Sequence, residues 1–266
     1  MIKIEHPVFP SPEQWMFAIE GMRNPKNSWD KSDSITDCTY IDELTCNICR
    51  SNIDNKPTCV TGSFSLGEND ESLMLRLAKA GTDHRKYLRM MQVGVRITAP
   101  LYFYKELDTY KVGTVCNSCS TMHKIQAKEF TLDDFSCEHL VEDSHLDSGV
   151  YEDVGVPDGE EYIYYAPKDI LREWIIPSLN KCRNMFLKTK NKVWWWQMIQ
   201  MFPSSYNQTR NYTFTYENLI NMYFARRNHK LDEWREFCQW MLDNVPYFKE
   251  LVEHIEGQNK VSAKAV

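Results

Sequence analysis

Met91-Gln92-Val93-Gly94-Val95-Arg96-Ile97-Thr98-Ala99-Pro100, followed by Leu101-Tyr102-Phe103-Tyr104-Lys105-Glu106-Leu107, is the stretch that decides the fold class. Met91, Val93, Val95, Ile97 and Ala99 alternate with Gln92, Gly94, Arg96 and Thr98, the period of a strand with one buried face. Pro100 breaks the strand, and Leu101 to Leu107 has the apolar spacing of a short helix. Further on, amphipathic helical patterns cover Lys168 to Lys190, Lys192 to Met201, Tyr216 to Arg227 and Leu231 to Asn244. A strand region set between helical ones predicts an α+β fold over residues 1–266. One domain is expected, with a central mixed or antiparallel sheet flanked by helices.

Upstream, Ser11-Pro12-Glu13 signals a helix start, and Trp15, Ile19 and Met22 continue it to about Arg23. Residues 24–67 are polar and lack sustained period, with the core of this excursion, 38–67, reading as an insertion or long loop. Asn69 or Asp70 is placed to cap a helix carrying Leu73, Leu77 and Ala80, which Gly81 closes. Residues 142–160 gather acids with Gly149, Gly155 and Pro157 and read as an acidic surface loop. The polar stretch from Lys111 to Ser120 reads as a turn.

The 266 residues include 42% apolar and 13% aromatic side chains, ample for a buried core. A formal charge of -6 argues against nucleic acid or an anionic membrane as partner, because both require a broad cationic face. The N-terminal residues carry no leader pattern, and no window reaches the roughly 18 apolar residues of a membrane span, so a cytoplasmic location is expected. Nine cysteines fit reduced thiols. Cys46-x2-Cys49 and Cys116-x2-Cys119 offer four zinc-type ligands, but their separation exceeds that of zinc ribbons, and no metal is expected. Cys38, Cys46, Cys49 and Cys59 form the rival set. Trp194-Trp195-Trp196 reads as core or subunit interface rather than as a stacking platform.

Chemistry concentrates after the strand. Within two dozen residues, Ala99 to His123 supplies Lys105, Tyr110, Lys111, Thr114, Asn117, Ser118, Ser120 and His123. Hydroxyls, amides and cations on a turn after a strand end suit a phosphate or nucleotide; the same residues also suit a solvated loop. His84-Arg85-Lys86-Tyr87-Leu88-Arg89 is the densest cationic cluster in an acidic chain, read either as a local anion site or as a solvated strand entry.

This segment resembles the signature of the flavin-dependent thymidylate synthases, R-H-R-x2-S-x-N-E-x-S-x-R-Y. With Cys116 as one inserted residue, Thr109-Tyr110-Lys111 stands against the R-H-R triplet and Thr114 against the first Ser, while Asn117 and Ser120 match. Ser118 replaces the Glu, and Met122-His123 replaces the terminal Arg-Tyr. Further similarity lies in Arg23 to Ser28, Leu73 to Gly81, Phe202 to Tyr206, Tyr216 to Asn221, Ala225-Arg226-Arg227 and Leu231 to Trp234.

The resemblance implies a homotetramer whose sites between subunits hold FAD with dUMP stacked on the flavin, using NADPH and methylenetetrahydrofolate and no cysteine nucleophile. It carries catalytic roles onto Thr114, Ser120 and Arg226. It puts the flavin near His84, Arg85, Tyr110, Lys111 and Asn221, and the pyrimidine nucleotide near Asn117, Ser118, Ser120, His123 and Arg226. Arg226 also reads as a cation at a helix C-terminus. The altered triplet leaves one cation, Lys111, which lacks the bidentate geometry of Arg. Arg210, Arg227, Lys230 or the His84–Arg89 cluster are candidate substitutes. The alternative reading is a nucleotide-binding or interaction protein on the same fold without flavin chemistry.

Overall fold

The computed structural model describes residues 1–37, 63–142 and 166–262. Its elements run β1 (Lys3–Val8), α1 (Pro12–Arg23), β2 (Ile35–Asp37), β3 (Ser63–Ser65), α2 (Glu68–Lys79), β4 (Gln92–Pro100), α3 (Leu101–Leu107) and β5 (Val115–Ser118). They continue with α4 (Pro167–Asp169), α5 (Ile176–Thr189), α6 (Lys192–Met201), β6 (Asn207–Thr215), α7 (Tyr216–Arg226), α8 (Asp232–Asn244) and α9 (Phe248–Ser262). Four strands form an antiparallel sheet in the order β1-β4-β6-β5, with helices flanking it, the α+β architecture expected from the sequence. Val93, Val95, Ile97 and Ala99 of β4 are buried and Gln92 and Arg96 are exposed, as the alternation requires.

The described residues divide into two compact units. One comprises Met1–Lys3, Thr98–Leu107 and Ser118–Arg210. Its core gathers Ile125, Phe130, Phe135, Leu171, Leu179 and Met198, with Trp194 and Trp195 packed against it and Trp196 largely exposed. The tryptophan run thus borders the core, with Trp194 and Trp195 half-buried and Trp196 exposed. The helix expected over Lys168 to Lys190 is interrupted: α4 passes through a π turn at Ile170–Ile175 before α5. Pro177 has no N–H for the helical ladder and its ring crowds the preceding turn, so the wider register upstream accommodates it.

The second unit comprises Ile4–Ile97, Asp108–Asn117 and Asn211–Val266. Trp15 stacks on Phe64 at 5.1 Å and meets Tyr216 and Tyr247 edge-on, while Trp234, Phe237, Phe214 and Phe248 are fully buried. The excursion is not structureless at its edges, since β2 and β3 pair antiparallel, Ile35 opposite Ser65. Residues 38–62 of it, with Cys38, Cys46, Cys49 and Cys59, lie outside the described residues, as does the acidic loop apart from Glu142.

The start of α2 also corrects the sequence reading. Its N-cap is Gly67, and the capping carboxylate comes from Asp33, whose oxygens accept from the N–H groups of Asn69 (2.9 Å) and Asp70 (3.1 Å). Gly67 is needed there because a Cβ would lie 2.2 Å from Asp33 Oδ1. Asp70 is instead fully buried. It accepts from Arg23 Nε (2.6 Å), the hydroxyls of Ser32 (2.8 Å) and Ser34 (2.7 Å), and the N–H groups of Asp33 and Ser34. This charge network ties α1, α2 and the chain before β2 together.

Candidate functional site

β6 delivers the chain directly into α7, and this junction builds the site. Thr215 caps α7 in a reciprocal box: its hydroxyl accepts from Asn218 N–H at 3.2 Å, and Asn218 Oδ1 accepts from Thr215 N–H at 3.2 Å. Asn218 Nδ2 then donates to the carbonyl of Val112 at 2.6 Å, which fixes the turn before β5 to the helix start. Gly113 in that turn has φ +72, and a Cβ there would lie 2.9 Å from Asn218 Oδ1. Both the conformation and the close approach require glycine.

Between these elements lies a cleft of about 720 Å³. Val112 to Val115 form one wall and Thr213, Thr215, Glu217, Asn218 and Asn221 the other, with Gln92 and Arg89 completing the rim. The volume lies within the range of small-ligand pockets. Six of the eleven lining residues are Thr, Asn or Gln, whose hydroxyls and amides suit the carbonyl and N–H edge of a heterocyclic ring. Thr114 Oγ1 is buried with no hydrogen-bond partner, an orphaned group that a ligand can satisfy.

Charge is confined to one side. Glu217 is buried at the first turn of α7 and is clamped by two guanidinium groups. Arg89 Nε and Nη2 reach its two oxygens, the latter at 3.3 Å, and Arg85 Nε lies 3.5 Å away. Among the described residues Arg89 is the one cation lining this cleft, and the carboxylate already engages it.

Three pairs stand out among the residues read from sequence. Thr114 and Asn221 share the cleft. Arg226 and Tyr110 meet beside it in sequence but are not among its lining residues: Arg226 Nε donates to the Tyr110 hydroxyl at 3.0 Å. The Arg226 guanidinium lies over the rings of Tyr110 and Trp234 at 5.7 and 5.2 Å. Ser120 and His123 belong to the other unit, where Ser120 Oγ accepts from His123 N–H at 2.9 Å and Ser120 lines a separate hollow with Thr98, Lys128 and Asp134.

The remaining candidates are less committed. Asn117 and Ser118 lie exposed on β5, so the stretch expected as a turn is partly a strand. Lys111 is exposed, and its carbonyl accepts from Thr114 N–H at 3.5 Å. His84 is exposed and lines a different hollow with Asp83, Lys86 and Tyr87. Of the substitute cations, Arg227 pairs with Glu256, and Arg210 stacks on Tyr104 at 3.9 Å and donates to Gln208. The sequence reading missed Glu217, Gln92, Thr213 and Thr215; only the alternation of Tyr212 and Phe214 with threonines signalled that 213 and 215 share a strand face.

Cys116 and Cys119 are both exposed, and no cluster of three or more His, Cys, Asp or Glu suited to a metal occurs among the described residues. Burial pushes the Cys238 thiol up to about 12, so it stays protonated and unreactive near neutrality. No helix among the described residues is long and apolar enough to cross a membrane.

No family model and no curated protein matches the chain in sequence. Its fold is similar to two crystal structures of flavin-dependent thymidylate synthase X from Helicobacter pylori, both with FAD and dUMP. The identities are 13% and 14%, the TM-score is 0.55 for each, and each comparison covers 96% of this chain and 98% of the other. At that identity the likeness establishes a shared architecture of mixed helices and antiparallel sheet.

Proposed function

We propose that residues 1–266 act as one thymidylate-synthase-complementing-protein-like domain, a flavin-dependent enzyme that modifies a pyrimidine deoxynucleotide at ring carbon 5. Conversion of dUMP to dTMP is the first candidate reaction. The reading is carried by the cleft at the β6–α7 junction, where the orphaned Thr114 hydroxyl, anticipated from the signature, and Asn221, anticipated from the C-terminal similarity, line one cavity. The solved relatives in fold bind FAD and dUMP, which gives the ligand class.

In this reading Thr114 supplies a hydrogen bond to a ring carbonyl or N–H, and Asn221 presents an amide to the flavin edge. Arg226, with its plane set by Tyr110 and Trp234, offers a donor fork to the pyrimidine. FAD would supply hydride chemistry, recharged by NADPH, with methylenetetrahydrofolate as carbon donor. A homotetramer would complete the site, bringing Ser118, Ser120 and His123 to the nucleotide and His84, Arg85 and Lys111 to the flavin. One observation favours the second reading, a nucleotide-binding module without flavin chemistry: the cleft's one lining cation is already neutralised by Glu217.

The test is Thr114→Val, which removes the hydroxyl and nearly preserves the shape. Because no partner is lost in the free protein, the melting temperature should stay level or rise. Affinity for dUMP should fall roughly two- to tenfold in calorimetric titration, while Thr114→Ser retains it. Unchanged affinity together with lowered stability would make Thr114 a structural residue and remove the proposal's support.

A further inference from the structure

A second cleft, of about 510 Å³, opens beside α1 and α2 and shares no lining residue with the first. Arg23, Lys26, Lys31 and Arg76 line it together with Ser28 and Asn69, and among the described residues no acid lines it. Four cations lining one cleft, with only Arg23 paired to a carboxylate, are unexpected in a chain of net charge -6. No ion pair reaches Lys26, Lys31 or Arg76 among the described residues.

Two nearby acids are already committed. Asp70 is bound by Arg23 and the serines, and Asp33 faces the N–H groups that open α2. Arg23 is the anchor. It is 3% exposed, with Nε on Asp70 and Nη1 on the Ser28 carbonyl at 3.1 Å, while its Nη2 is buried with no partner. A guanidinium held rigidly on two sides and lacking an acceptor on the third is pre-organised for an oxyanion.

We propose that this cleft binds a phosphoryl oxyanion, either free or as the phosphate group of a nucleotide, between Arg23 on the floor and Lys26, Lys31 and Arg76 at the mouth. The assignment does not rest on the flavin reading of the Thr114 cleft. Its test is calorimetric titration of inorganic pyrophosphate, and separately of ADP, into the full chain and into the Lys26→Ala/Lys31→Ala/Arg76→Ala variant. These three side chains are at the surface and the variant should melt like the parent.

Saturable pyrophosphate binding that weakens with salt and falls at least about tenfold in the variant is the expected result. ADP binding tighter than pyrophosphate, and equally lost, assigns the phosphate to a nucleotide; ADP binding no tighter assigns it to a free oxyanion. Thr114→Val should leave pyrophosphate binding unchanged, which separates failure here from failure of the first proposal. No saturable binding to the parent, or equal affinity in the triple variant, would overturn the site.

Discussion

Asp70→Ala is expected to lower the melting temperature more than any other single change considered, by removing about 3–5 kcal/mol of stability. The loss is large because Arg23, itself buried, is left with an uncompensated charge, and two serine hydroxyls and two N–H groups lose their acceptor. For a chain of this size that is a shift on the order of ten degrees by calorimetry or circular dichroism. A shift of only a degree or two would mean that the network is incidental to α1 and α2 packing.

The same residue predicts a pH dependence. Burial, the largest single influence, pushes the Asp70 carboxyl up, but the bonds from Ser34, Ser32 and Arg23 outweigh it and hold it below its ordinary value of 3.8. A carboxylate depressed on folding contributes stability that is present above the unfolded value and is lost as pH falls through the folded one. The parent should therefore lose stability below pH 3.8 partly through Asp70, and the Asp70→Ala variant should lack that component.

The second large effect concerns ligand binding. Arg226→Ala should weaken dUMP binding roughly ten- to a hundredfold, the cost of losing a charge-assisted hydrogen-bonded contact of about 1.5–3 kcal/mol. The rings of Tyr110 and Trp234 and the Tyr110 hydroxyl fix the orientation of the fork, so Arg226→Lys should not restore affinity. Stability should also fall, since Arg226 is half-buried against the buried Trp234 ring and cation–π contacts contribute from about 0.5–1 kcal/mol when exposed to about 2 kcal/mol when desolvated. Calorimetric titration alongside melting curves separates the two effects. Full dUMP affinity in the folded variant would reduce Arg226 to a helix-end cation packed on aromatic rings.

How much of this was legible in the sequence depends on the range of the forces involved. β4 was readable because Met91 to Ala99 alternates cleanly, and α1 because Ser11-Pro12-Glu13 marks its start within one turn, where the structure adds a Ser11–Gln14 capping box. β6 was not, because its buried positions include Gln208 alongside Tyr212 and Phe214, so the apolar period is broken where it begins. Nor was β1, whose six residues include Pro7 and whose burial does not alternate. α9 escaped notice although it buries Leu251 and Val252.

In the site, Thr114 was accessible through the signature pattern and Asn221 through the similarity over Tyr216 to Asn221, whereas the Glu217 clamp joins residues 128 positions apart and has no local pattern. Asp33 capping a helix that begins 35 residues later is invisible for the same reason, and sequence logic gave that role to its neighbours. Gly113 reads as an ordinary turn glycine until Asn218 is seen against it.

The central claim is that the altered signature still serves a flavin enzyme, and the visible absorption spectrum of the freshly purified protein tests it most directly, with FAD added if the preparation is colourless. The account predicts oxidised-flavin bands that bleach on addition of reductant, or quenching of FAD fluorescence on titration, and a spectral shift when dUMP is added. A colourless protein that neither takes up FAD nor perturbs its spectrum, yet still binds dUMP, would contradict the claim and establish the nucleotide-binding module in its place.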